Sequence, residues 1–369
     1  MNHWLETAEV LSRVAALAAA GEPAALATVV RVKGSAYRRP GAKLLVEASG
    51  GGLGGVSGGC LEGDVREVGR RVLAGTAPRL LHYDTTAGDE EPWALGLGCR
   101  GEVDVFVQPA TSGHFPDVLA SWRERLAGET AFTVATVVAG AESLGASWLV
   151  DAEGTVVEPT RKVHSFAVPD AVALAVALRA PAQLATGRSA CEEVAGHLVF
   201  FEVQQPPVCL LVCGAGDDAV PLVERALEAG FRVTVLDHRE GLLRPGRFPT
   251  GAALVAMRPD DPEKALPVAA HRLAVVMTHS FASDREWVRR LLAEGLPYVG
   301  QLGPRARTEE IRRAIGAEND TRLFGPVGLD IGADGPRQVA ISIVAELLAV
   351  VAGRTPHHLA ARTEPIHVS

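Results

Sequence analysis

The sequence predicts a two-part α/β protein: an N-terminal mixed α/β half over residues 1–205, followed by a C-terminal half over 206–369 built as a doubly wound parallel sheet. Three observations predict it. The 369 residues exceed what one ordinary core accommodates. Beyond residue 206, short apolar runs alternate with helical patterns, as a parallel sheet with crossover helices requires. Between the halves, the QQPP stretch from Gln204 to Pro207 breaks every periodicity.

Composition narrows the function. With 47% hydrophobic and 22% charged residues the chain reads as globular throughout, and its net charge of −8 gives no electrostatic footprint for nucleic acid or an anionic membrane. An anionic ligand is therefore expected on local amides and selected arginines. No apolar run approaches the roughly 18 residues of a membrane span. The N-terminal stripe of Leu5, Val10, Leu11, Val14 and Leu17 is interrupted by Glu6 and Glu9, which predicts an amphipathic helix and not a signal peptide. Five cysteines, an odd number, suggest free thiols in a reducing cytoplasm.

Each element of the N-terminal half follows from local pattern. Ala24–Lys33 has the β-branched richness of a buried strand and ends in GSAYRRPG. Lys43–Glu47 and Leu53–Val56 form a hairpin about a glycine run. From Leu61 to a stop at Gly75, Val65, Val68, Val72 and Leu73 share a helical face, which places Cys60 at the helix cap. Strands are expected at Arg79–Tyr83, Glu102–Gln108, Ala131–Val138, Ser147–Val150 and Leu198–Val203. DAVALAVALRA reads as a helix and the following PAQLATGRS as a loop. No internal repeat is evident.

In the C-terminal half, strands are expected at VCLLVC, Arg232–Leu236, Ala253–Ala256, Leu273–Met277 and Tyr298–Gly300. Helices are expected at Ala219–Glu228, Arg285–Ala293 and Gln338–Val351. The opening VCLLVCGAGDDA places Gly214, Gly216 and Ala219 in a G-x-G-x-x-A turn between strand and helix. The first glycine permits the turn, the second lets a phosphate approach the backbone, and the small third residue lets helix pack on strand. Asp237 ends the second strand where a ribose hydroxyl would find its acceptor, so a Rossmann-like half is predicted, with NAD(P) as one ligand class. Asp217 and Asp218 oppose a pyrophosphate at the helix start, and Arg239, Arg244 and Arg247 compensate. Thr278 and His279, just past a buried strand, lie on the sheet edge where ligands bind. Arg305 and Arg307 follow the next strand as phosphate clamps.

The N-terminal half raises a different question. Seven of the ten residues from Gly50 to Gly59 are glycine, which forgoes about 4–7 kcal/mol of backbone entropy relative to alanine. Such a run either is a spacer or brings backbone closer to something than side chains allow. Cys60 beyond it sits where helix amides lower a thiol pKa, with Glu62 and Asp64 opposing. Cys99 is bracketed by glycines in GLGCRGEVDVFVQP. Two such cysteines suggest a common site. No CxxC pair or His–Cys cluster signals a metal, and Cys209 and Cys213 share one strand face and pack in the sheet.

The order of motifs, from ATVVRVKGSAYRRPGAKLLV through GGVSGGCLEGDV, GLGCRGEVDVFVQP, LLVCGAG, VTVLDHR, MTHSFASD, YVGQLGPR and GPVGLDIGADGP, resembles the xanthine dehydrogenase accessory factors of the XdhC/CoxI type. The resemblance implies a maturation factor, not itself clearly an enzyme. Such a protein binds the molybdenum cofactor (molybdopterin) as cargo while a cysteine desulfurase supplies a sulfido ligand, and delivers it to a xanthine dehydrogenase-type molybdenum hydroxylase. It also implies a homodimer. Gly34, Arg38, Arg39, Gly58, Gly59 and Cys60, with Gly214, Gly216, Asp237, Arg239, Thr278 and Arg305, are the expected cofactor contacts. Cys60, Cys99 and His279 are the chemically reactive candidates. The chain departs from the family pattern at Asp217, Pro304 and Arg337–Gln338. An NAD(P)-dependent oxidoreductase and a non-catalytic docking protein remain as alternatives.

Overall fold

The computed structural model describes residues 3–34, 36–75, 77–84, 101–112, 115–128, 130–140, 143–157, 170–261, 266 and 272–363. The chain divides into two compact units, one over 2–206 with 359–369, the other over Pro207–His358.

The N-terminal unit begins with α1 (Trp4–Ala20), whose Trp4, Val10, Leu11, Val14 and Leu17 are buried, ended by Gly21 in the left-handed conformation. Then come β1 (Ala24–Gly34), β2 (Lys43–Glu47), β3 (Gly52–Gly54), α2 (Glu62–Leu73), β4 (Arg79–Asp84) and β5 (Gly101–Pro109). They form an antiparallel sheet of order β3-β2-β1-β5-β4. The next stretch repeats the plan: α3 (Phe115–Ala127), β6 (Phe132–Ala139), β7 (Ser147–Val150), β8 (Val156–Val157), α4 (Asp170–Thr186), β9 (Ala190–Val194) and β10 (His197–Gln204). Its antiparallel sheet has order β8-β7-β6-β10-β9. The unit is thus one α-β-β-β-α-β-β module built twice, an internal repeat that the sequence reading does not find.

The correspondence extends to single residues. ATVV occurs at Ala27–Val30 and again at Ala135–Val138. Thr28 pairs with Phe106 and Val29 with Val105, while Thr136 pairs with Phe200 and Val137 with Val199. The ladder then shifts in both modules at the same place, leaving Val30 and Val138 as the extra residue of a bulge. Val30, Phe106, Val138 and Phe200 meet in one buried cluster. Each module contributes the same two residues, as a pseudo-two-fold axis demands. Outside that centre, α2 covers Ala27, Val29 and Val105 of the first sheet, and α4 covers Ala135, Val137 and Val199 of the second.

Several elements differ from expectation. α4 continues through Pro181 to Thr186, because Val176, Ala180 and Leu184 bury on one face across the proline. α3 and β9 are absent from the sequence reading, although Phe115, Val118, Leu119, Trp122 and Leu126 keep helical spacing.

The C-terminal unit contains β11 (Cys209–Cys213), α5 (Ala219–Glu228), β12 (Arg232–Asp237), β13 (Ala253–Ala256), β14 (Arg272–Val276), α6 (Phe281–Ala293), β15 (Tyr298–Gln301), α7 (Arg305–Ile315), β16 (Leu323–Phe324) and α8 (Pro336–Val351). The six strands are parallel in the order β13-β12-β11-β14-β15-β16. This is the doubly wound Rossmann order, reversing between β11 and β14. Residues of α5 and α8 pack with one face of the sheet and residues of α6 with the other. The sequence reading misses α7 and β16: α7 buries only Thr308 and Ile311 and therefore carries little apolar period. Cys209 and Cys213 are both buried in β11, and burial pushes the Cys213 thiol up.

Candidate functional site

The glycine run resolves into two kinds of position. A Cβ at Gly52 would lie 2.4 Å from the Leu45 carbonyl oxygen, and one at Gly54 would lie 2.2 Å from that of Lys43. Those glycines serve the close pairing of β3 with β2, not a ligand. Gly58 and Gly59 are different. Gly59 has φ 111° with nothing within 4 Å of a Cβ, and a Cβ at Gly58 would sit 3.5 Å from the Tyr37 ring. The loop is held from within. Glu62 accepts from the Val56 and Ser57 amides at 3.2 and 2.8 Å, and Ser57 Oγ accepts from the Gly59 and Leu61 amides. Burial opposes the Glu62 charge, but these donors hold its carboxyl below the usual carboxylate range. Asp64 accepts from the Tyr83 hydroxyl at 2.6 Å.

Cys60 is exposed and stands one residue before the N-cap, which is Leu61. It is a loop thiol, not the cap residue. Cys99 lies outside the described residues. Gly34, φ 77°, closes β1 opposite Gly101. Of the two arginines in the β1–β2 turn, Arg38 is paired with Glu6 of α1. Burial would raise that glutamate, yet hydrogen bonds from His3 and Arg38 bring it down to about 2. Arg38 is therefore a strut between turn and helix. Arg39 is half-buried, and burial, followed by the nearby charge of Arg188, lowers its pKa. Among the described residues no carboxylate pairs with Arg39. The Tyr37 ring lies beside Gly58, so this turn, which also carries Arg39, meets the loop that carries Cys60. Tyr37, 70% exposed, escapes the sequence reading, although AYRRPG displays it beside both arginines.

The Rossmann turn is occupied by its own side chains. A Cβ at Gly214, φ 124°, would come 2.5 Å from the Met277 carbonyl oxygen, so this glycine lets β11 and β14 end side by side. A Cβ at Gly216 would meet Asp218 at 2.6 Å and the His279 ring at 3.5 Å. His279, held at φ 62°, places Nε2 2.9 Å from Asp218. Asp217 is paired with Arg247 at 2.7 Å. Asp237 accepts from the Ala215 amide at 2.8 Å, the Arg239 amide at 2.8 Å, and Arg239 Nε and a terminal nitrogen at 3.0 and 2.8 Å. Four donors fill the about four acceptor positions of a carboxylate. Against its burial, these bonds hold the Asp237 carboxyl down.

Nearby, buried Asp284 accepts from the Thr278 amide and hydroxyl at 3.1 and 2.6 Å, from Gln301 at 3.1 Å, and from Arg307 at 3.1 and 2.6 Å. Arg307 thus fixes the sheet edge. Arg305 is exposed and paired with Glu309 at 2.9 Å, on the surface of α7. His279 meets Gly216 and the Thr278 backbone meets Gly214, whereas Arg305 does not join them.

Fold and sites together define a two-unit protein: a duplicated antiparallel α/β unit bearing an exposed thiol loop, and a Rossmann unit whose glycine turn has Asp218 and His279 beside Gly216. Comparison with known proteins agrees. Residues 17–84 match the XdhC and CoxI family, and residues 210–347 match the XdhC Rossmann domain. In Bacillus subtilis (strain 168), a protein named as a probable xanthine dehydrogenase subunit is 31% identical over 335 residues, covering 89% of this chain and 93% of its own. YqeB of Escherichia coli (strain K12), an uncharacterized protein, is 29% identical over 158 residues, 41% of this chain and 29% of its own. A crystal structure described as a xanthine dehydrogenase from Bacillus halodurans superimposes with a TM-score of 0.75 at 27% identity, covering 96% of this chain and 98% of that one. The chain belongs to the XdhC and CoxI family. Among the described residues, no helix is long and apolar enough to cross a membrane.

Proposed function

We propose that this protein carries the molybdenum cofactor in an accessory role for a xanthine dehydrogenase-type molybdenum hydroxylase, with a cysteine desulfurase as the sulfur source and a homodimer as the working form. Family membership supports the accessory role, and the relatives named for xanthine dehydrogenase support the client class. The observation that carries the ligand is the packing of the Tyr37 turn on the Gly58–Cys60 loop. The Tyr37 ring offers a flat face to a pterin. Arg39, desolvated and without a carboxylate among the described residues, offers donors to its phosphate. Cys60 is the exposed thiol of the loop that Tyr37 meets at Gly58.

The Rossmann half supports this reading by default. A nicotinamide dinucleotide would need the Asp237 acceptors that Ala215 and Arg239 fill, and its pyrophosphate would face Asp217 and Asp218. The test is anaerobic calorimetry of purified molybdenum cofactor against the full-length protein, with NAD and NADP titrated in parallel. The expected result is saturable cofactor binding without nicotinamide binding. Nicotinamide binding alone would sink the proposal.

A further inference from the structure

The duplicated module supplies its own control for reading a charged cluster. Beyond the shared Phe106 and Phe200 rows, the next row of the first sheet runs His82–Asp104–Arg31 across β4, β5 and β1. The corresponding row of the second sheet, in the same register after the same bulge, is Glu193–Leu198–Ala139. The fold therefore accepts a leucine where Asp104 stands and an alanine where Arg31 stands. The charges in the first sheet are not a requirement of the module.

They are nonetheless built in with care. Asp104 is only 2% exposed, and a buried carboxylate is costly unless paired. Its two oxygens are held separately, one 2.7 Å from Arg31 Nε and the other 2.6 Å from His82 Nδ1. The following row on the same face is Asp84–Glu102–Lys33, with Lys33 Nζ 2.6 Å from Glu102. Arg31, Lys33, Glu102 and Asp104 line a cavity of about 170 Å³. Arg31 uses one of its five N–H donors on Asp104, Lys33 uses one of three on Glu102, and His82 keeps Nε2 free of that carboxylate. Two exposed cations, Arg31 and Lys33, thus line the cavity, each paired with a carboxylate that also lines it, and exposed His82 stands on the other oxygen of Asp104.

We infer that the His82–Asp104–Arg31 row, with Lys33, is a binding site for a small oxyanion of the phosphate or phosphomonoester class, distinct from the Cys60 loop. Asp104 is the positioning residue, and Arg31, Lys33 and His82 are the donors. The proposal does not depend on the cargo assigned above.

The test uses the full-length protein with ¹⁵N-labelled histidine, titrated in chloride buffer with inorganic phosphate and separately with glycerol phosphate. A saturable shift of the His82 ring signals, assigned by their loss in His82→Ala, is expected. Tighter binding of the ester identifies an ester ligand and tighter inorganic phosphate identifies the free ion; either supports the site. The double variant Arg31→Ala/Asp104→Leu installs the residues of the second module. It should unfold within a few degrees of the parent and bind phosphate at least tenfold more weakly. His82→Ala, which leaves the Asp104–Arg31 pair in place, should also bind at least tenfold more weakly. A parent protein whose His82 does not respond overturns the proposal, as does unchanged affinity in His82→Ala. Collapse of the double variant, together with parental phosphate binding by His82→Ala, would make the row structural.

Discussion

The two modules of the N-terminal unit share strand order, bulge and central phenylalanine, yet they carry different chemistry. Where the first has Asp104 and Arg31, the second has Leu198 and Ala139. The first joins β4 to β5 through residues 85–100, which include Cys99, and the second joins β9 to β10 by the Ala195–Gly196 turn. The difference separates what folding requires from what it merely tolerates. Positions matched in both modules are core, and positions elaborated in only one are candidates for function.

The largest expected effects test the shared core. Phe106→Ala and Phe200→Ala should each cost about 3–5 kcal/mol, and the two losses should agree within about 1 kcal/mol by chemical denaturation. A near-neutral result for either one would break the pseudo-two-fold reading. The symmetry is itself broken at one buried pair. Lys43 is ion-paired with Glu202 across the two modules, and its ammonium lies 5.1 Å from the Trp122 ring centroid. The matching positions hold Ser147 and Gln108. Glu202→Gln strands a buried ammonium and should cost about 3–5 kcal/mol, whereas Gln108→Ala should cost about 1 kcal/mol.

A smaller effect depends on pH. The Glu6 carboxyl is lowered from 4.5 to about 2 in the folded protein. A depressed acid contributes stability that is fully present above its unfolded pKa and is lost as pH falls through the folded value. The Glu6–Arg38 strut should therefore lose on the order of 2 kcal/mol between about pH 5 and pH 2. Unfolding temperature measured across that window should fall less steeply in Arg38→Ala; an unchanged slope would remove the strut. The smallest effect on stability is expected at the exposed thiol. Cys60→Ala should change stability by less than about 0.5 kcal/mol while lowering cofactor retention about tenfold. Parental retention would take Cys60 out of the mechanism.

Much of the Rossmann unit is legible in the sequence because its signals are local: a strand of five apolar residues, a glycine turn, a helical period. The duplication is not. Its sequence trace is little more than ATVV twice, and Phe106 and Phe200 can be matched only once their partner strands are known. The sites divide in the same way. Cys60 and Arg39 stand out as residues in a glycine-rich or arginine-rich stretch. That Arg38 is claimed by Glu6, and Asp237 by Arg239 and the Ala215 amide, follows from approaches that no window of sequence displays. The glycine run reads in sequence as one wall, although Gly52 and Gly54 belong to strand pairing and Gly58 lies beside Tyr37.

The central claim is that the first module, and not the Rossmann turn, holds the cofactor. Anaerobic titration of molybdenum cofactor into the full-length parent, Tyr37→Ala and Asp237→Asn tests it most directly. The account predicts binding weakened at least tenfold in Tyr37→Ala and unchanged in Asp237→Asn. Binding lost in Asp237→Asn and retained in Tyr37→Ala would contradict it.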